Sequence, residues 1–226
     1  MRNIPYQEAI GSLMYALVAT RPDILFTVSI LSQFLNNPGW VHWEAVKRIF
    51  RYLLGMKSWG LTYGEGKDGL EGYTDADGAS QDHRRAIPGY AFLVNGGAVL
   101  WSSKKQELVT LLMVEAEYVA AIHAAKEAMW LRNFIGDVFG QVKGPTTLHC
   151  DNQSAIAMYK TGSFSARTKH IDICYHFIWF VVENGTLKLI YCPTDDMTAD
   201  TLTKALPSPK AKHFAASLGL VAPIST

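Results

Sequence analysis

The chain has 226 residues, enough to bury a sizeable core in one large domain, or in one domain with an appendage, without a disulfide scaffold. Half of it is hydrophobic (49%) and only 18% is charged, which excludes a disordered chain. Its 21 basic and 20 acidic side chains leave +1, which excludes a strongly basic nucleic-acid coat and an acidic solvating tail, though a local basic groove can hide in such a sum.

The first stretch, residues 1–57, reads as helical. Tyr6 to Val18 places apolar residues at helical spacing, and Pro22 stands where a second helix begins, a position that tolerates proline. Asn37-Pro38-Gly39 is a break. His42 to Leu54 is amphipathic, with Ala45, Ile49 and Leu53 on one stripe. Gly64 to Gly69 is glycine-rich and polar, a linker composition.

Strands begin after it. Leu70 to Thr74 is the first, and Gly89 to Val94 and Ala98 to Ser102 flank the hairpin signal Asn95-Gly96-Gly97. An alanine-rich helix from Val114 to Val138 follows, then a strand at Thr146 to Cys150 and a short helix at Asn152 to Lys160. Lys169 to Glu183 is a helix closed by Asn184-Gly185, Leu187 to Tyr191 a strand, and Met197 to Lys204 a short helix before Pro207. Three consecutive strands predict an antiparallel meander, and the later alternation of strand and helix predicts parallel additions.

Cys150, Cys174 and Cys192 are odd in number and widely spaced, which fits neither a disulfide framework nor a zinc knuckle, and predicts buried thiols in a reducing compartment. The N-terminus lacks the charged and apolar regions of a signal peptide. The apolar run from Ile24 to Leu35 ends well short of the roughly 20 residues a membrane span needs.

No G-x-S-x-G elbow, Walker-type phosphate loop, G-x-G-x-x-G after a strand or H-E-x-x-H pair is present. What recurs is acid at the ends of elements: Asp75 ends the first strand, Glu115 and Glu117 open the long helix, Asp151 follows TTLHC, and Asp200 stands on the helix after the last strand. Such ends can converge at one edge of a sheet. Clustered carboxylates raise each other's pKa unless a cation neutralises them, and hard oxygen donors favour Mg²⁺ or Mn²⁺. Two such ions roughly 4 Å apart form a clamp for in-line attack on a phosphodiester.

The blocks YTDADGAS (73–80), GYAFLVNGGAVLWSSKKQ (89–106), EAEYVAA (115–121), CDNQSAI (150–156), ARTKHIDICYHF (166–177) and ADTLTKALP (199–207) stand in order, after GSLMYALVATRPDILFTV and HWEAVKRIFRYLLG. In these blocks the chain resembles the ribonuclease H region at the C-terminal end of copia-type LTR retrotransposon polyproteins, together with the tail of the reverse transcriptase that precedes it. The resemblance implies a ribonuclease H-like α/β fold, a mixed five-stranded sheet flanked by helices and preceded by a small helical segment. It divides the chain at 1–66 (helical tail of the transcriptase), 67–206 (ribonuclease H-like domain) and 207–226 (C-terminal helix and tail).

The implied activity is hydrolysis of the RNA strand of an RNA–DNA hybrid at a site holding two Mg²⁺, with Mn²⁺ as a substitute. Asp75, Glu117, Asp151 and Asp200 are the implied catalytic and metal-binding residues, in the order Asp–Glu–Asp–Asp with gaps of 42, 34 and 49 residues. Glu117 is chosen over Glu115 because it precedes two large residues and an alanine, as in the wider superfamily. Lys104, Lys105, Asn152, Gln153, Arg167, Lys169 and His170 are the expected nucleic-acid contacts, since Lys and Arg supply most sequence-independent affinity. The expected partners are the hybrid and the polymerase domain of the parent polyprotein, with no membrane. The expected location is intracellular, in a cytoplasmic virus-like particle or the nucleus.

The chain departs from the family at Leu112-Met113-Val114, where small hydroxyl residues are usual, and at Gly78, where tryptophan is usual. No histidine stands in Tyr191-Cys192-Pro193-Thr194 before the last aspartate. That histidine belongs to many cellular ribonucleases H and is often missing from copia-type members. Leu112-Met113-Val114, Gly78 and the lack of a Y-x-D-D polymerase signature motivate a rival reading, a catalytically impaired remnant that only binds nucleic acid or has a structural role. An integrase-like strand transferase would need Asp–Asp–Glu order and ranks low. Trp130, Trp179 and Phe180 are expected in the core.

Overall fold

Apolar residues one helical turn apart bring the N-terminal helices together. The computed structural model describes residues 1, 4–64, 69–77, 86–104, 113–140, 142, 144–153, 156 and 172–222, the side chains of 113–115 and 172–175 excepted. Helix α1 (Tyr6–Ala19) buries Tyr6, Ile10, Leu13 and Leu17, a single stripe. Pro22 opens one 3₁₀ turn, and α2 (Leu25–Ser32) follows directly, burying Leu25, Val28 and Leu31. The Tyr6 hydroxyl donates to the Leu31 carbonyl at 2.8 Å and pins the two helices. After the Asn37–Gly39 break, α3 (Trp40–Gly55) begins where the Gly39 N–H donates to His42 Nδ1 at 2.8 Å. Its buried residues are Val46 and Ile49, so the stripe is centred one position from the predicted Ala45–Ile49–Leu53 line, with Ala45 and Leu53 half-buried.

The main sheet contains β2 (Leu70–Asp77), β3 (Ile87–Val94), β4 (Gly97–Ser103), β5 (Thr146–Cys150) and β6 (Leu187–Tyr191), in the spatial order β4-β3-β2-β5-β6. The first three form the antiparallel meander, and β5 and β6 add in parallel. The β3–β4 turn has positive φ at both Asn95 (50°) and Gly96 (84°), the geometry that matches the twist of a hairpin and that glycine and asparagine adopt most readily.

Alternation along the strands gives the sheet two apolar faces. On one face, Leu70, Phe92, Leu148 and Leu187 pack under α4 (Met113–Phe139) and α5 (Asp172–Glu183). On the other, Ala91, Leu93 and Ala98 share a core with Ile10, Leu13, Val28 and Val46 of the N-terminal helices. The Trp101 indole N–H donates to the Leu17 carbonyl at 2.8 Å across that junction. Beyond β6, α6 (Asp200–Thr203) is shorter than the predicted 197–204 helix, and α7 (Ser208–Ser217) leads to the C-terminal end.

A second, two-stranded sheet was not legible in the sequence. In it β1 (Gly60–Leu61) pairs antiparallel with β7 (Leu220–Val221). Gly219 supports it with φ +88°, and a Cβ there would meet Gly96 O and Gly97 Cα at 2.7 Å. The whole is a ribonuclease H-like α/β fold with a mixed five-stranded sheet flanked by helices. Among the described residues no helix is long and apolar enough to cross a membrane.

Candidate metal centre

Burial along β2, the central strand, alternates at first and then gives way to continuous burial from Thr74 through Asp77, where its end is covered by α4 and α6. Asp75 is therefore 0% exposed, a carboxylate that must find partners because removing it from water costs several kcal/mol, as an order of magnitude. Thr203 Oγ1 donates a short hydrogen bond to its Oδ2. Lys204 Nζ stands 3.2 Å from Asp75 Oδ2 and 2.9 Å from Asp200 Oδ1, and Lys210 Nζ lies 3.8 Å from Asp200 Oδ2.

The parallel register of β2 and β5 sets Thr74 opposite Cys150, so Asp75 and Asp151 leave neighbouring strands side by side. Asp200 is the first residue of α6 and is also buried. One oxygen each of Asp75, Asp151 and Asp200 lies within 4.8 Å of the others. A second group of Glu117, Cys150 and Asp151 meets the same limit, so Asp151 is common to both. Either group could hold a metal ion.

The electrostatics report carboxylates crowded together away from water. Burial, then repulsion by Asp75 and Asp151, pushes Glu117 up to about 9, against the Ala76 backbone N–H, which draws it down. Burial and Asp75 push Asp200 up to about 6, opposed by its hydrogen bond with Lys204. Asp151 is raised by burial and Asp75, and Thr194 Oγ1, 3.5 Å from its Oδ2, pulls the other way. Glu117 Oε2 is buried with no hydrogen-bond partner among the described residues. A buried carboxylate oxygen in that state needs either a proton or a cation. The donor set thus fits a hard divalent ion. Burial pushes the Cys150 thiol up to about 12, so without a cation it stays protonated, and a hard ion in that group would prefer the oxygens of Glu117 and Asp151.

Among the predicted nucleic-acid contacts, Asn152 is half-buried and Gln153 exposed, directly after Asp151. Lys104 is exposed just past β4. The register Asp75–Gly89–Ser103 puts it at the same end of the sheet as Asp75, two strands away. Lys105, Arg167, Lys169 and His170 lie outside the described residues, as do Gly78, Leu112 and the side chain of Glu115.

Two features went unread in the sequence. Lys204 and Thr203 are in the site, and the available signal was Asp200 followed by lysine four residues on, one helical turn away. Trp130, Trp179 and Phe180, expected in the core, are 55%, 44% and 60% exposed. For Trp130 the cause is the alanine face of α4: Ala121, Ala124, Ala125 and Ala128 bring the helix close to the sheet, and Trp130 is turned outward, where it stacks on Phe134 at 5.6 Å. Trp179 and Phe180 lie on α5, whose Ile178 and Val181 take the buried positions.

No family model matches the chain. It is 46% identical over 211 residues to the retrovirus-related Pol polyprotein from transposon TNT 1-94 of Nicotiana tabacum, a match covering 93% of this chain and 16% of that polyprotein. It is 35% identical over 218 residues to the corresponding polyprotein from transposon RE2 of Arabidopsis thaliana, covering 96% of this chain and 15% of that one. The chain thus spans about a sixth of the length of these relatives (16% and 15%). Among solved structures it is similar to LC11-RNase H1 in complex with an RNA/DNA hybrid, at 19% identity and a TM-score of 0.44, covering 59% of this chain and 93% of that one.

Proposed function

We propose that this chain, which belongs to the Pol polyproteins of copia-type retrotransposons as their ribonuclease H region with the tail of the reverse transcriptase, is a metal-dependent endonuclease that hydrolyses the RNA strand of RNA–DNA hybrids. The observation that carries this reading is the meeting of Asp75, Asp151 and Asp200 with the buried Glu117, whose Oε2 has no hydrogen-bond partner among the described residues, at one end of the sheet.

Asp75, Asp151 and Asp200 would hold one Mg²⁺, and Glu117 with Asp151 a second, Mn²⁺ being able to substitute. When bound, such ions supply a nucleophilic water near neutral pH and charge to balance the leaving 3′-oxygen. The protein's own part is to hold the carboxylates. Thr203 fixes Asp75 by its hydroxyl, and Thr194 braces Asp151. Burial at this end of the sheet keeps bulk water from screening Asp75, Glu117 and Asp200.

A hybrid is the fitting substrate because a 2′-hydroxyl marks one strand as RNA while the other is taken as DNA. Lys104 and Lys105, Asn152 and Gln153, and Arg167, Lys169 and His170 would hold its backbone. Residues 1–66 are proposed as the transcriptase tail, 67–206 as the nuclease and 207–226 as a C-terminal extension, acting beside the polymerase domain inside the cell.

The test uses purified protein, a hybrid labelled on its RNA strand and Mg²⁺, with an Asp151→Asn control. Cleavage by the wild type and not by the control is expected. Equal absence of cleavage in both would sink the proposal.

A further inference from the structure

We infer that Lys204 is a built-in counter-ion of this site, its ammonium standing between Asp75 and Asp200 in the metal-free protein and giving way to a divalent ion when one binds. The inference rests on the metal-binding reading above and adds a residue to it.

The geometry is that of a cation held by two carboxylates. Nζ of Lys204 is 2.9 Å from Asp200 Oδ1, 3.2 Å from Asp75 Oδ2 and 3.4 Å from Asp75 Oδ1. Both aspartates are almost fully buried, so the contacts are little screened. Asp75 Oδ2 also accepts from Thr203, and Lys210 stands 3.8 Å from Asp200 Oδ2. Asp75 and Asp200 are, with Asp151, the three carboxylates that could share one ion. An ammonium on these carboxylates and a divalent ion among the same groups repel each other and compete for their lone pairs, so each opposes the other.

The side chain also has somewhere to go. Lys204 lines a cavity of about 140 Å³ between α6 and the N-terminal helices, together with Asp23, Thr27, Arg48 and Tyr52. Asp23 is a carboxylate already tied to Arg21 at 2.6 Å and to the Tyr52 hydroxyl at 2.7 Å. The cavity gives a lysine turned out of the acidic cluster room to move, though Arg48 on its wall and the Arg21–Asp23 pair leave it no free carboxylate partner among the residues that line it. Its own side chain is 32% exposed, enough freedom for the move.

Mn²⁺ binding is measured calorimetrically on the full chain for the wild type, Lys204→Gln and Lys204→Arg. Lys204→Gln is expected to bind roughly tenfold tighter because the competing charge is gone, and Lys204→Arg about as the wild type does. Unchanged or weaker binding by Lys204→Gln, with the wild type binding normally, overturns the counter-ion role and leaves the metal reading intact. Absence of binding by all three overturns both. A second measurement needs no variant: reductive methylation of the wild type, read by mass spectrometry. Lys204 is expected to be protected in chelator and modified several-fold faster in saturating Mn²⁺. Equal protection in both conditions overturns the displacement.

Discussion

Asp151 stands in both groups of potential ligands, which makes it the residue whose loss should be felt most. Asp151→Asn removes a charge without changing shape. It is expected to lower hybrid cleavage by at least about a hundredfold while leaving the unfolding midpoint in chelator unchanged or higher, because a repelling carboxylate has gone. Paired cleavage rates and thermal unfolding check it, and a variant of wild-type activity would remove Asp151 from the site. Glu117 and Asp200 set the pH dependence of the metal-free protein. Both carboxyls are raised in the fold, to about 9 and about 6, whereas in the unfolded chain they ionise near pH 4, roughly. Between those values the folded protein binds protons that the unfolded chain has released, so stability falls as pH rises through the window. The penalty is absent below about pH 4 and complete above about pH 9. In chelator the melting temperature should drop from pH 5 to pH 9, and Mg²⁺ should restore more of it at the alkaline end. A flat profile in chelator would contradict the buried repulsion. The acids that the fold brings together stand out in the sequence at strand ends and helix starts of an apolar chain, a pattern that leaves Glu115 beside Glu117, and only the family resemblance chose between those two. Lys204 does not stand out, because a lysine in a polar stretch normally faces water, and only the folded register shows two aspartates beside it.

The elements follow their sequence signals closely wherever the signal is local. Asn95-Gly96 announced the hairpin, Pro22 the start after α1, and Gly185 at φ +71° the stop after α5. What failed is long-range. The strands β1 and β7 have two residues each and pair across most of the chain, so no window of sequence carries them. The outward Trp130 is a related case, since an alanine-rich helix does not reveal from periodicity alone whether its small or its large face meets a sheet. Gly219 lets these distant pieces be tested. It holds φ +88° beside Gly96 O, where a Cβ would come within 2.7 Å of backbone. Gly219→Ala is expected to destabilise by about 1–3 kcal/mol through backbone strain and the clash. Urea unfolding followed by fluorescence measures it, and a change below about 0.5 kcal/mol would show that the C-terminal strand does not constrain the hairpin. Trp130→Gln, by contrast, should move stability by less than about 0.5–1 kcal/mol, because the ring is 55% exposed and stacks on another exposed ring, Phe134.

At the scale of the molecule, the glycine-rich segment at 64–69 marks a change of texture, and the core does not respect it. Ile10, Leu13, Val28 and Val46 lie on one side of that segment in sequence, while Ala91, Leu93, Ala98, Leu202 and Leu218 lie on the other, and all belong to one buried cluster. Trp101 adds its hydrogen bond to Leu17, and β1 its pairing with β7. The helices that precede the linker therefore serve as the cover for one face of the sheet that carries the site. Asp200 and Lys204 border this junction, since Lys204 lines the cavity with Asp23 and Tyr52. Charge follows the same division: residues 67–226 carry 15 basic and 16 acidic side chains, and neutralising the four site carboxylates turns their balance positive. Metal loading should therefore strengthen hybrid binding as well as permit cleavage, most visibly at low salt. A fragment of residues 67–226 tests the cover directly. Without α1 to α3 it would expose Leu93, Leu202 and Leu218 to water, a loss on the order of 1.5–3 kcal/mol for each large side chain uncovered, comparable in sum to the whole stability of a domain. It is expected to be insoluble, or to melt well below the full chain, and to regain solubility when residues 1–63 are supplied separately. A soluble fragment that melts with the full chain would mean that the sheet face has no need of its helices, and that the shared cluster reflects proximity without mutual support.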